Sequence, residues 1–177
     1  MFLNIKDMEV RKIHFAESFE PGELDLAERG LRQITALDAE GTAELLENTG
    51  NQVRIQGQFR GEVEADCDRC LQPARFWLEE RFDLFYRPQA DAASGEEIEI
   101  DEGEAEIAFY QGLGLELKDV VLEQLMLALP MQTLCRPDCR GTCPVCGGNR
   151  NETPCECQAR PGDDRWSALK NLAIRNQ

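Results

Sequence analysis

Apolar and polar residues alternate with a period of two over the middle of the chain. In Asn51 to Asp66, Val53, Ile55, Gly57, Phe59, Gly61, Val63 and Ala65 take one side, and Arg54, Gln56, Gln58, Arg60, Glu62 and Glu64 take the other. That pattern predicts a strand with one buried face. After C-D-R-C-L-Q-P a second alternating run sets Ala74, Phe76, Leu78, Glu80, Phe82 and Leu84 against Arg75, Trp77, Glu79, Arg81 and Asp83. Two such runs across a short loop containing Pro73 predict a hairpin. Thr42 to Glu47 can pair with the first strand across N-T-G-N and extend it into a meander. Ala105 to Tyr110 is a further short strand, Ile13 to Phe19 a strand, and Leu24 to Leu31 a helical turn.

The period then changes. Leu117, Val120, Val121, Gln124, Leu125 and Ala128 recur at steps of three and four, predicting a helix that enters at Asp119 and stops at Pro130. Arg165 to Arg175 fits a second helix, capped by Asp163 or Asp164, with Trp166, Leu169, Leu172 and Ala173 on one face. The expected fold is α+β: an antiparallel β-meander body with one central helix, and a cysteine-rich, zinc-stapled tail ending in a short helix.

Charge divides the chain near the same place. The formal net charge is −15, but residues 1–134 sum to −17 and residues 135–177 to +2. Six of the eight cysteines lie in the second segment. The expected organisation is therefore an acidic body over 1–130, carrying the C-D-R-C hairpin, and a cysteine-rich tail over 131–177. Strong overall acidity disfavours non-specific phosphate binding, which requires neutralising charge, and favours basic partners. The run from Glu96 to Glu106 reads as a solvated loop or edge strand, with a docking strip for a basic partner as the alternative. No apolar run reaches the length of a membrane span and the start lacks an export pattern, so the expected location is cytoplasmic.

In a reducing compartment, paired cysteines indicate metal or redox chemistry rather than disulfides. Cys67 and Cys70 form C-D-R-C between the two best strands. Cys135 and Cys139 form C-R-P-D-C after the helix, Cys143 and Cys146 form C-P-V-C-G-G, and Cys155 and Cys157 form C-E-C. Zinc takes four such ligands at tetrahedral corners, and a short spacer lets one turn present two sulfurs to the same ion. In C-P-V-C-G-G, proline stiffens the turn and glycine admits a positive φ that frees backbone N–H groups for sulfur.

Eight cysteines in four local pairs divide into two four-cysteine sites, and structural zinc is the expected occupant of both. One division joins Cys143/Cys146 to Cys155/Cys157 and Cys67/Cys70 to Cys135/Cys139. The other crowds Cys135, Cys139, Cys143 and Cys146 together and leaves Cys67/Cys70 with Cys155/Cys157. An iron–sulfur cluster uses the same donors. A redox C-x-x-C normally sits at a helix N-terminus that lowers the thiol pKa; here the motif lies in a turn beside Asp66 and Asp68, which would raise it.

Catalysis has little support. Cysteine saturates both sites, His14 is the sole imidazole and reads as a strand residue, and G-L-G-L at Gly112 to Leu115 lacks a phosphate-loop pattern.

The order of motifs is more specific than any one of them. C-D-R-C-L, an acidic strip, E-L-K-D-V-V-L-E-Q-L-M-L-A-L-P-M, C-P-V-C-G-G-N and a closing D-D-R-W-S-A-L-K-N-L together resemble the YceD-like family, over Val53 to Leu172. Members are named for accumulation of large-subunit ribosomal RNA. The resemblance implies a non-enzymatic, cytoplasmic ribosome biogenesis factor supporting synthesis, processing or stability of 23S rRNA, with Cys67 and Cys70 as the family's C-x-x-C. Some branches of the family carry fewer tail cysteines, which makes Cys143, Cys146, Cys155 and Cys157 a separable module.

The expected partners are a large-subunit precursor, basic ribosomal proteins or 23S rRNA, with no membrane and no small-molecule substrate. Arg136, Arg140, Arg150, Arg160, Arg165 and Arg175 are the candidates for rRNA contact, because guanidinium suits phosphate. Two other classes compete: a thiol redox or metal-trafficking protein using C-D-R-C, and a zinc-ribbon transcription regulator, which the acidic body disfavours.

Overall fold

The computed structural model describes residues 1–27, 30–47, 49–89 and 107–158. Within them the chain runs β1 (Phe2–Asn4), α1 (Ile5–Val10), β2 (Ile13–Phe19), β3 (Leu31–Gln33), β4 (Leu37–Leu45), β5 (Val53–Asp66), β6 (Pro73–Pro88), β7 (Ile107–Tyr110), β8 (Gly114–Glu116) and α2 (Leu117–Ala128). It is mostly sheet. A six-stranded sheet follows the order β2-β4-β5-β6-β7, with β3 beside β5, and β1 pairs with β8 separately.

The predicted hairpin is the spine of the sheet. β5 and β6 pair in continuous antiparallel register from Val53↔Tyr86 to Asp66↔Pro73. Val53, Ile55, Phe59, Val63 and Ala65 of β5 are buried, as are Ala74, Leu78, Phe82 and Tyr86 of β6. The upstream strand is longer than its prediction and starts earlier, at Leu37. β3 continues along the same side of β5, after an interruption in which Glu62 N–H donates to Thr35 Oγ1 at 3.0 Å and Ile34 N–H to Glu62 O at 2.9 Å. Ile13–Phe19 is the strand expected.

Three expectations need correction. The strands are not all antiparallel, since β7 joins β6 in parallel. There is not one helix but two among the described residues: α1, which no periodicity announced, opens with the Asn4 side chain accepting the Lys6 N–H at 2.9 Å. Within the span expected as a helical turn, Leu24 to Leu31, residues 28 and 29 lie outside the described residues; Leu24 and Leu26 plug the core and Leu31 begins β3. Finally, α2 begins two residues earlier than Asp119, at Leu117 directly after β8, and ends where Leu129 turns extended before Pro130. The helix expected at Arg165 to Arg175 and the acidic run Glu96 to Glu106 lie outside the described residues.

Leu117, Val120, Val121 and Leu125 of α2 and Ile5 and Met8 of α1 complete one core with the sheet. Cys67, Cys70, Ala74 and Cys139 form a second, smaller cluster at the tip of the β5–β6 hairpin.

Candidate metal centre

The turn after β5 is closed by backbone bonds from Cys67 N–H to Gln72 O and from Leu71 N–H to Cys67 O, both 2.9 Å. Leu71 takes a positive φ of 61° to close it. This tight loop turns Cys67 and Cys70 to one side. The segment after α2 is then laced onto it. Asp68 N–H donates to Thr133 O at 2.8 Å, and the Asp68 carboxylate accepts the Thr133 N–H at 2.7 Å. Thr133 Oγ1 donates to Asp66 O at 3.0 Å. Asp68, expected to act on the thiols as a like charge, instead anchors the tail.

The lacing brings Cys135 and Cys139 against the hairpin. Cys67 Sγ lies 3.8 Å from Cys139 Sγ, and Cys70 Sγ lies 3.5 Å from Cys135 Sγ. All four sulfurs fall within 4.8 Å of one another. Such separations are far beyond the ~2.05 Å of a disulfide, and all eight cysteines are free. Four sulfurs around a zinc at ~2.3 Å stand roughly 3.8 Å apart, so this inner cluster fits a tetrahedral divalent ion.

A second, outer cluster gathers Cys143, Cys146, Cys155 and Cys157, again within 4.8 Å. Its knuckle is C-P-V-C-G-G. Gly147 adopts φ +74°, its N–H donates to Cys143 O at 2.8 Å, and Val145 N–H reaches Cys143 Sγ at 3.4 Å. Glycine serves the role its position implied. Of the two divisions open from spacing, the structure places Cys67/Cys70 with Cys135/Cys139 and Cys143/Cys146 with Cys155/Cys157. The inner cluster is mostly buried, while Cys146 and Cys157 are exposed.

The thiols differ in acidity. Burial pushes the Cys67 thiol up, but N–H groups of Cys135, Arg69 and Cys70 outweigh it and bring the pKa to about 6. Burial and the neighbouring sulfurs raise Cys135 to about 12. In the outer cluster, the N–H groups of Cys146 and Val145 bring Cys143 to about 6. Cys157, facing Cys146, rises to about 12. Cys67 and Cys143, beside several N–H donors, ionise before Cys135 and Cys157, because adjacent thiolates repel. A divalent cation removes that conflict, which is the chemistry of a structural site with no open position.

Sequence reasoning missed the shell around the sulfurs. Asn151 Nδ2 donates to Cys139 Sγ at 3.3 Å, and Arg69 Nη1 donates to Cys139 O at 3.0 Å. Gly141, at φ +70°, passes so close to Arg69 that a Cβ there would stand 2.9 Å from its carbonyl oxygen. The only signal in sequence was the density of Gly and Asn in G-G-N-R-N. Among the candidate RNA-contact residues, Arg136, Arg140 and Arg150 are exposed around the clusters, and Arg136 Nε lies 3.5 Å from Asp138. Arg160, Arg165 and Arg175 lie outside the described residues.

No described helix is long and apolar enough to cross a membrane. No solved structure matches the chain. Among curated proteins it is 28% identical over 151 residues to the uncharacterized proteins Rv2926c of Mycobacterium tuberculosis and Mb2951c of Mycobacterium bovis, covering 79% of this chain. The match spans just under two thirds, 66%, of the length of those relatives. The family model for the large ribosomal RNA subunit accumulation protein YceD matches residues 55–173. That match takes in the whole β5–β6 hairpin except its first two residues, α2 and all eight cysteines, and the chain belongs to the YceD family.

Proposed function

We propose that this chain is a non-enzymatic factor in ribosome biogenesis that supports accumulation of 23S rRNA, and that it holds two structural zinc ions. The family match over residues 55–173 carries the ribosomal part. The convergence of eight cysteines into two four-sulfur clusters supports the metal. In this reading residues 1–130 are the body, residues 131–177 are the tail, and Cys67, Cys70, Cys135 and Cys139 staple one to the other. A reducing cytoplasm keeps the thiols available. Two ions each held by four thiolates add about four negative charges, so the acidic body faces basic ribosomal proteins and RNA contact is left to Arg136, Arg140, Arg150, Arg160, Arg165 and Arg175.

Depletion in a native host, followed by quantification of 23S against 16S rRNA and crosslinking from the tail, tests the reading. A falling 23S share, with crosslinks to large-subunit precursors, is expected. An unchanged ratio on full depletion would sink the ribosomal assignment. Metal analysis with thiol titration separates the alternative. About two zinc ions and no reactive thiols fit the staple, whereas a reversibly oxidised Cys67–Cys70 pair fits a redox protein.

A further inference from the structure

The two clusters are joined by more than the short chain between them. Asn151 belongs to the outer loop, between Cys146 and Cys155, yet its side chain works on the inner cluster. Nδ2 donates to Cys139 Sγ at 3.3 Å while Oδ1 accepts the Arg140 N–H at 2.8 Å. Asn149 holds it in place. Asn149 Oδ1 accepts from Asn151 N–H at 3.0 Å and from Asn151 Nδ2 at 2.9 Å, and Asn149 Nδ2 donates to Glu152 at 2.9 Å. The backbone runs the same way: Arg150 N–H donates to Gly141 O at 3.0 Å, Thr142 N–H to Arg69 O at 2.8 Å, and Thr142 bridges Asn149.

A loop closed by an ion across Cys143, Cys146, Cys155 and Cys157 presents this turn in one geometry. Without that closure the turn must be ordered when the inner ion binds. The inner ion, by holding Cys139 and Arg140 in place, orders the same turn for the outer one. We propose that the two clusters bind divalent metal with positive cooperativity, and that Asn151 is the positioning residue that couples them. The inference rests on the metal-binding reading above. Repulsion between two filled thiolate sites opposes it, but Cys146 and Cys157 are solvent-exposed, where water and salt screen that term. A donor to a ligating sulfur typically changes metal affinity by about ten- to a hundredfold, and linkage makes the effect reciprocal.

The test is a titration of the full-length reduced apo-chain with Co(II) against a competing chelator, read by thiolate-to-cobalt charge-transfer absorption. Cys143→Ser/Cys146→Ser leaves the inner cluster alone, and Cys67→Ser/Cys70→Ser leaves the outer one. The ratio of the intact chain's two-ion affinity to the product of the single-site affinities is the coupling factor. It should be about 10 to 100. Measured the same way on an Asn151→Ala background, it should fall to within about twofold of unity; effects of Asn151 on either site alone cancel in this cycle. Because Asn151→Ala keeps all eight cysteines, the steepness of its two-ion titration against the parent's also reads the loss of coupling without the serine variants. A factor near unity in the parent, with two ions bound, overturns the coupling and leaves the metal reading intact. A factor that survives Asn151→Ala overturns the role of Asn151. A chain that binds no Co(II) overturns both.

Discussion

Two glycines in adjacent strands carry the sheet's tightest packing. Register places Phe15, Gly41, Gly57 and Phe82 in one row across β2, β4, β5 and β6. The two phenyl rings lie over the glycines: a Cβ on Gly57 would stand 2.7 Å from Phe82 Cζ and from Glu40 O, and one on Gly41 would stand 2.7 Å from Phe15 Cζ and 2.6 Å from Gly57 Cα. Aromatic cover of this kind offsets the loss of a side chain in the strand. Because part of the obstruction is backbone, it cannot rotate away. Gly41→Ala and Gly57→Ala should each lower stability by about 1–3 kcal/mol, read as a reduced denaturant midpoint in the metal-loaded chain. An unchanged midpoint for both would show that the row is not tightly packed. Alternation alone marked Gly57 as an inward position, but not why it is glycine, because the cause is Phe82 and Phe15, the latter far away in sequence. The sulfur shell was hidden for the same reason. The cysteines announce themselves by spacing, whereas Asn151 and Asp68 gain their roles only after folding.

Elements differ in legibility according to length. β5 and β6 are long enough for period two to be unmistakable, and α2 is long enough for period three to four. The three-residue strands β1, β3 and β8 and the six-residue α1 carry too few turns of any pattern to be read, and the parallel partner of β6 is fixed by tertiary closure. The outer face of the long strands carries ion pairs rather than packing. Arg54 makes a two-bond contact with Asp83 at 2.9 and 2.7 Å, joined by Gln56 Nε2 at 2.9 Å, and Glu64 sits between Arg32 and Arg75. The Arg54 bond holds the Asp83 carboxyl below its ordinary value against the opposing effect of burial, and Arg75 with Arg32 does the same for Glu64. A depressed folded pKa means the unfolded chain binds more protons across that window. The contribution is therefore complete above the ordinary carboxylate value and is lost as pH falls through the lowered one. These pairs are exposed to solvent, which screens them, so each contributes little. Asp83→Asn should show a small stability deficit at neutral pH that closes as acid protonates the parent. A deficit that persists undiminished in acid would mean that the carboxylate's charge plays no part.

For the whole molecule, the consequence of two separate clusters of buried residues is that metal and sheet stability should come apart. The main core holds Phe59, Leu37, Ile55, Leu117 and Val121 almost fully buried, and none of them belongs to the small cluster of Cys67, Cys70, Ala74 and Cys139. That core needs no ion. The described part of the tail, in contrast, has few apolar contacts of its own: among residues 135–158 the buried side chains are Cys139 and Cys143. A segment with so little apolar burial does not by itself offset the conformational entropy of ordering; on the proposed metal reading, sulfur–metal bonds supply the difference. Where a site forms only in the folded chain, its binding free energy is folding free energy. Chelation under reducing conditions should therefore remove amide-exchange protection at the Cys67–Gln72 turn and through Thr133 to Asn151. It should leave β4, β5 from Val53 to Val63, and α2 protected. A sheet that melts together with the tail would show that the staple and the body are one cooperative unit. A tail that stays protected with all metal removed would show that the hydrogen bonds of Asp68, Thr133, Arg69 and Thr142 hold it without the ions.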